Sequence, residues 1–196
     1  MGNNGITDAL AAYAAEMSYE KLDPETIRVQ KYSLLDAIAC MAAATGVEGD
    51  WNRFAEFAVS QGTGECSLIG RNEKVSPSMA ALANGALMHA MDFEDSHEGG
   101  TVHPNSASVP VMMALAQNCG GISGKQFLTA LVTASDVCCR IAMGVDGDLL
   151  KYGWNMPAIH GSLGAAMGGG RLLGMTREQI LDALALAISQ STASGN

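Results

Sequence analysis

An all-α fold is predicted by three features of this 196-residue chain. Apolar residues recur at helical spacing over most of its length, and helix-start signals punctuate it at intervals. Ala, Gly and Met are abundant, whereas aromatic residues make up only 5% and charged residues 16%. Such a composition suits helices in close contact through small side chains, with the twelve methionines as adaptable filler. A hydrophobic content of 48% is enough to fill a core, and residues 1–196 are read as a single helical domain.

The first helix is expected from Thr7 to about Met17, with Leu10, Ala11, Ala14 and Ala15 on one face and Thr7 as its cap. Asp23-Pro24-Glu25 opens a longer one. It combines an acceptor side chain, a proline whose missing N–H is harmless in the first turn, and a carboxylate at the positive helix end. This helix runs through Ile27, Leu34, Leu35, Ile38 and Met41 to Thr45-Gly46. Trp51 to Val59 forms another. Glu65 to Gly70, β-prone and bounded by glycine, is an extended segment too isolated to define a sheet. Ser76-Pro77 opens a helix through Met79, Leu82, Leu87 and Met88 that ends close to Asp92.

After a polar loop at 92–104, a helix of small and branched residues runs from about Ser106 to Gln117. Ser123 with Gln126, and Thr176 with Gln179, are capping boxes, in which two side chains satisfy each other's backbone donors. Between them, Gly161, Gly164, Gly168, Gly169 and Gly170 would weaken a helix unless another backbone packs closely against it. The polar run from Ser189 to Asn196 reads equally as a helix end or as a cut inside a larger protein.

A formal charge of −9 and a pI near 4.7 argue against nucleic-acid binding, since eleven cations form no cluster that could neutralise phosphates. The same excess of acid repels an anionic ligand at long range, so a carboxylate substrate needs a local set of donors. Cys40, Cys66, Cys119, Cys138 and Cys139 are odd in number and lack C-x-x-C spacing, which points to a reducing cytoplasm. No signal peptide is evident, and no apolar run reaches the roughly 18 residues of a membrane span.

The densest polar cluster runs from Asp92 through Asp95, Ser96, His97, Glu98 and Thr101 to His103-Pro104, between two apolar helices. The bland reading is a solvated loop whose Asp and Ser cap helices. Against it, Asp92 is placed on the apolar helix with Leu87, Met88 and Met91, so its carboxylate needs a partner. His103 precedes proline, which biases it to an extended backbone and aims its ring away from the loop. An imidazole beside a carboxylate is equipment for moving a proton. A divalent metal on Asp92, Asp95, His97 and His103 is a further reading, but the spacing matches no metal motif, so no metal is expected.

Met88-His-Ala-Met-Asp-Phe-Glu-Asp-Ser-His97, then His103-Pro and Val109-Pro-Val, resembles the MmgE/PrpD signature. Similar blocks follow in order: Ser123-Gly-Lys-Gln-Phe-Leu, Gly161-Ser-Leu-Gly-Ala-Ala, Arg171-Leu-Leu-Gly-Met and Ala185-Leu-Ala-Ile-Ser-Gln190, with Leu34-Leu-Asp-Ala-Ile-Ala-Cys40 upstream. The resemblance implies the N-terminal part of a large helical domain, cut before a smaller α/β lid. It also implies a cofactor-free lyase or isomerase of small di- or tricarboxylates, working as a homodimer by dehydration, decarboxylation or epimerisation. Carried over, the family site implies Asp92, Ser96 and His103 here. A second family histidine aligns with Asn155 of Gly153-Trp-Asn155, while His160 stands five residues downstream as a possible substitute. Asparagine can orient a carboxylate but cannot shuttle a proton. The family's lysines fall beyond Asn196.

On this reading His103 is the acid/base, Asp92 orients it or fixes its tautomer, and Ser96, Asn155 and His160 bind substrate oxygens. Two competing readings stand beside it: a non-catalytic helical dimerisation module of the same family, and a metal-dependent hydrolase using the 92–103 cluster.

Overall fold

The computed structural model describes residues 5–47, 49–145, 151 and 153–191. Eight α-helices are present among them: α1 (Ile6–Glu16), α2 (Pro24–Ala44), α3 (Asn52–Ser60), α4 (Pro77–Met88), α5 (Pro104–Cys119), α6 (Gly124–Met143), α7 (Met156–Leu172) and α8 (Arg177–Gln190). The expected all-α class holds. The last residues, 192–196, lie outside the described set, and with them most of the polar run expected there.

Helix starts follow the local chemistry closely. Asp23 Oδ1 accepts from the backbone N–H of Glu25 and of Thr26, each at 2.9 Å, with Pro24 as the first helical residue. Both capping boxes form, at Ser123 with Gln126 and at Thr176 with Gln179. Thr7, expected as the cap of α1, lies instead inside it: the helix begins at Ile6 with Gly5 before it and no side-chain cap. Ser76 precedes α4 without bonding its free N–H groups, so Pro77 alone marks that start.

The extended segment has a partner that periodicity concealed. β1 (Cys66–Ser67) pairs antiparallel with β2 (Lys74–Val75), in a register that sets Cys66 opposite Val75. Two-residue strands are too short to show alternation, so Lys74-Val75 gave no signal of its own.

The centre of the molecule is built from α5, α6 and α7, flanked by α4 on one side and α8 on the other. Val109, Met112, Ala130 and Leu131 are buried with Met41 and Met88 in one core cluster, and Val137, Met167 and Ile180 join Ala11 and Ala14 in another. The glycines of α7 permit the close approach expected of them. A Cβ on Gly164 would stand 2.5 Å from the carbonyl oxygen of Ala134, and one on Gly168 would stand 2.7 Å from that of Ala130, both on α6. Among the described residues α6 alone is long and apolar enough to cross a membrane, but 56% of its apolar window is buried, as befits a core helix.

Candidate active site

The decisive departure from sequence expectation is where α4 stops. It ends at Met88, and the chain turns at His89 and Ala90 instead of continuing towards Asp92. Asp92 adopts φ +50°, the left-handed region that aspartate tolerates better than most residues, and this reverses the chain. Its side chain is 75% exposed, so the expectation of a desolvated Asp92 on a helix is corrected. The buried carboxylate is two residues further on. Glu94 returns beneath the helix end, its side chain fully enclosed, with Oε1 2.5 Å from His89 Nδ1 and Oε2 accepting from Phe93 N at 3.1 Å.

The rest of the loop closes on itself. His97 N donates to Val102 O at 2.8 Å, so residues 97–102 form a tight turn that buries Val102 and delivers His103 to the start of α5. Asp95 then supplies the cap that α5 lacks from its own N-cap residue. Its carboxylate accepts from Asn105 N at 3.3 Å and from Asn105 Nδ2 at 2.6 Å. Asn105 Oδ1 in turn accepts from Gln30 Nε2 at 3.1 Å and from Ser135 Oγ at 2.9 Å, tying the loop to α2 and α6. Burial pushes the Asp95 carboxyl above its ordinary range, while the two Asn105 hydrogen bonds pull the other way.

His103 sits between two acceptors. Its Nδ1 lies 3.0 Å from the backbone oxygen of Asp95, which can only accept, so Nδ1 carries a proton. Its Nε2 lies 3.3 Å from Asp92 Oδ1. The pairing of His103 with Asp92 expected from sequence is therefore present, with one correction: the tautomer is set by the Asp95 carbonyl, and Asp92 stands at the other nitrogen. The His89 ring is the third member, its centroid 5.3 Å from that of His103 at an interplanar angle of 56°.

Both imidazoles line a cleft of about 710 Å³, walled by Trp51, Phe54, Leu82, Pro110 and Val111 and carrying Ser106 and Asn155 as further polar groups. Asn155 immediately precedes α7, which points it at the same space as the imidazoles. Ser96 is exposed and is not among the residues lining the cleft. His160 is not there either. It is 2% exposed within the helical core, with both ring nitrogens unpartnered among the described residues, and burial lowers its pKa. The substrate-binding roles expected of Ser96 and His160 are thus not supported by their positions, because the reversal at Asp92 turns Ser96 outward and α7 turns His160 inward.

Among the described residues, the donor atoms that converge closely enough for a divalent cation are those of His89, Asp92 and His103, all within 4.8 Å of one another. That is not the set considered from sequence: Asp95 is engaged by Asn105, and His97 lines a separate cavity beside α1, α2 and α6. Burial pushes Cys138 up to about 12 and Cys139 up to about 11, which disfavours thiolate chemistry at those two residues. Sequence reasoning missed His89, Glu94 and Ser106. His89 passed as one more residue of an apolar helix, and only the early stop of α4 exposes it.

Comparison with known proteins agrees with this architecture. The family model described as MmgE/PrpD N-terminal domain matches residues 8–195. Cis-aconitate decarboxylase of Aspergillus terreus is 30% identical over 195 residues, which is 96% of this chain and 39% of that enzyme. The enzyme of the same name from Mus musculus is 27% identical over 194 residues, again 96% of this chain and 39% of the relative. That from Homo sapiens is 31% identical over 124 residues, 61% of this chain and 26% of the relative. The chain thus spans about two fifths of the length of such relatives, 39% for the Aspergillus terreus enzyme. With nearly every residue inside the family match and the helical architecture in accord, the chain belongs to the MmgE/PrpD family, as its N-terminal domain.

Proposed function

We propose that the protein carrying this domain is a lyase that acts on a small di- or tricarboxylate by moving a proton next to a carboxylate, with decarboxylation of a cis-aconitate-like acid as the leading case. The observation that carries this reading is His103, fixed at Nδ1 by the Asp95 carbonyl and facing Asp92 through Nε2 at the edge of a substrate-sized cleft. The relatives named cis-aconitate decarboxylase favour this outcome over dehydration or epimerisation.

In such a reaction the bond to the departing CO2 breaks, its electron pair spreads into the adjacent unsaturated acid, and a proton must reach carbon. His103 Nε2 delivers that proton, and Asp92, exposed and free to adjust, stabilises the imidazolium beforehand and assists its return. Ser106 and Asn155 orient substrate oxygens from the cleft wall. Among the described residues the cleft lining carries no Lys or Arg.

The test is His103→Gln in the full-length protein, assayed with a panel of polycarboxylates. Turnover should fall by about 100-fold or more, the usual scale of general acid catalysis, and undiminished turnover would remove His103 from the mechanism. We further propose that the protein acts as a homodimer in the cytoplasm. An exposed apolar stripe on α2, formed by Val29, Tyr32, Leu35 and Ile38, supports the dimer.

A further inference from the structure

We infer that His89 is a substrate-carboxylate subsite: an imidazolium, charged by its pairing with buried Glu94, that offers its Nε2–H to the acid in the cleft. The inference rests on the proposed function and supplies something that reading lacks, a source of positive charge inside the cleft.

The argument begins at Glu94. Its side chain is fully enclosed, and a carboxylate withdrawn from water requires a charged or strongly donating partner. Phe93 N provides one hydrogen bond to Oε2, at 3.1 Å. The other oxygen has His89 Nδ1 within hydrogen-bond distance, the one side-chain nitrogen placed against it among the described residues. A second effect acts in the same direction. His89 occupies the C-cap of α4, where the unpaired carbonyls of the last turn favour a cation.

Nδ1 is committed to Glu94, which leaves Nε2 as the nitrogen available to a ligand. The His89 side chain is 55% exposed and forms part of the cleft wall, so that nitrogen is reachable. His103 differs, because both of its nitrogens already face protein acceptors. With ring centroids 5.3 Å apart, one polycarboxylate can reach both imidazoles, resting a carboxylate on His89 while its reacting carbon lies beside His103. His89 is thus assigned to binding and His103 to proton transfer, and Glu94 is a positioning residue that acts through His89.

The distinguishing variant is His89→Asn, whose amide can still donate to Glu94 from near the Nδ1 position but offers nothing at Nε2. In the full-length protein its KM for cis-aconitate should rise about tenfold or more, as expected for loss of a charge-assisted hydrogen bond, with kcat within about threefold of wild type. His103→Gln should show the opposite split. An unchanged KM in a folded His89→Asn protein overturns the inference. Long-range 1H–15N spectra of the wild-type chain titrated with tricarballylate give a second reading that needs no variant. A doubly protonated His89 whose Nε2 resonance moves on titration is expected, and a singly protonated ring or an unmoved Nε2 overturns the inference. Because tricarballylate binding requires no turnover, a wild-type enzyme inactive on every acid would defeat the proposed reaction, and the His89 spectra would still decide the subsite.

Discussion

His103 and Asp92 are eleven positions apart in sequence, and their meeting at 3.3 Å depends on two backbone events, the left-handed turn at Asp92 and the tight 97–102 turn. Residue types and the proline after His103 made the pair legible from sequence. The partner at Nδ1 was not legible, because a backbone carbonyl leaves no trace in side-chain spacing. Nor was Glu94, since burial of a loop carboxylate follows from tertiary folding. His160 gives a residue-scale prediction. Among the described residues its ring nitrogens have no partner, which in a buried site costs about 1–3 kcal/mol, so His160→Met should raise the melting temperature at neutral pH. Burial also depresses its pKa below the unfolded value near 6.5. The unfolded chain therefore takes up a proton first as pH falls, and stability that is complete above about pH 6.5 is lost as pH drops towards the folded pKa. Melting curves of the two proteins should diverge below about pH 6.5, whereas parallel curves would show that His160 has a partner in solution.

At the scale of elements, the helices that announced themselves carry their own start chemistry: Asp23-Pro24 and the two capping boxes are local devices that need no knowledge of the fold. The stop of α4 and the β1–β2 pair were hidden because nothing local ends or pairs them. No glycine follows Met88, and the chain is turned instead by Asp92. Asp23→Ala should destabilise the protein, because two N–H groups of the first turn of α2 lose their acceptor, read as a lower urea midpoint at unchanged slope. The α6–α7 contact gives a sharper test. Alanine in place of Gly168 gains about 1 kcal/mol of helix propensity, but its Cβ would stand 2.6 Å from Ala134 Cβ as well as close to the Ala130 carbonyl. Overpacking of this kind costs about 1–3 kcal/mol, so Gly168→Ala should destabilise despite the better helix former. A rise in stability would mean that α6 and α7 sit further apart than described.

On the scale of the whole molecule, α2 buries Ala37, Cys40, Met41 and Ala44 while Val29, Tyr32, Leu35 and Ile38 remain exposed on its outer side, 63% of Leu35 being accessible. Phe54, Phe57 and Phe93 add to this apolar exposure. Sedimentation velocity should therefore show self-association at micromolar concentration, weakened by Leu35→Glu, and a clean monomer would contradict the proposed dimer. The helical class was legible because it rests on periodicity and composition, which are distributed along the chain. The cleft was not, because its wall draws on α3, α4, α5 and the start of α7, segments brought together only by packing. The central claim is that the imidazole at the start of α5 delivers a proton to a carbon of a bound polycarboxylate. It is tested most directly by assaying the full-length protein with cis-aconitate in D2O and following CO2 release together with deuterium in the product. Wild type should release CO2 and place one deuterium on carbon, with His103→Gln slower in both by about 100-fold or more. Equal rates and equal deuterium content in the two proteins would contradict the account.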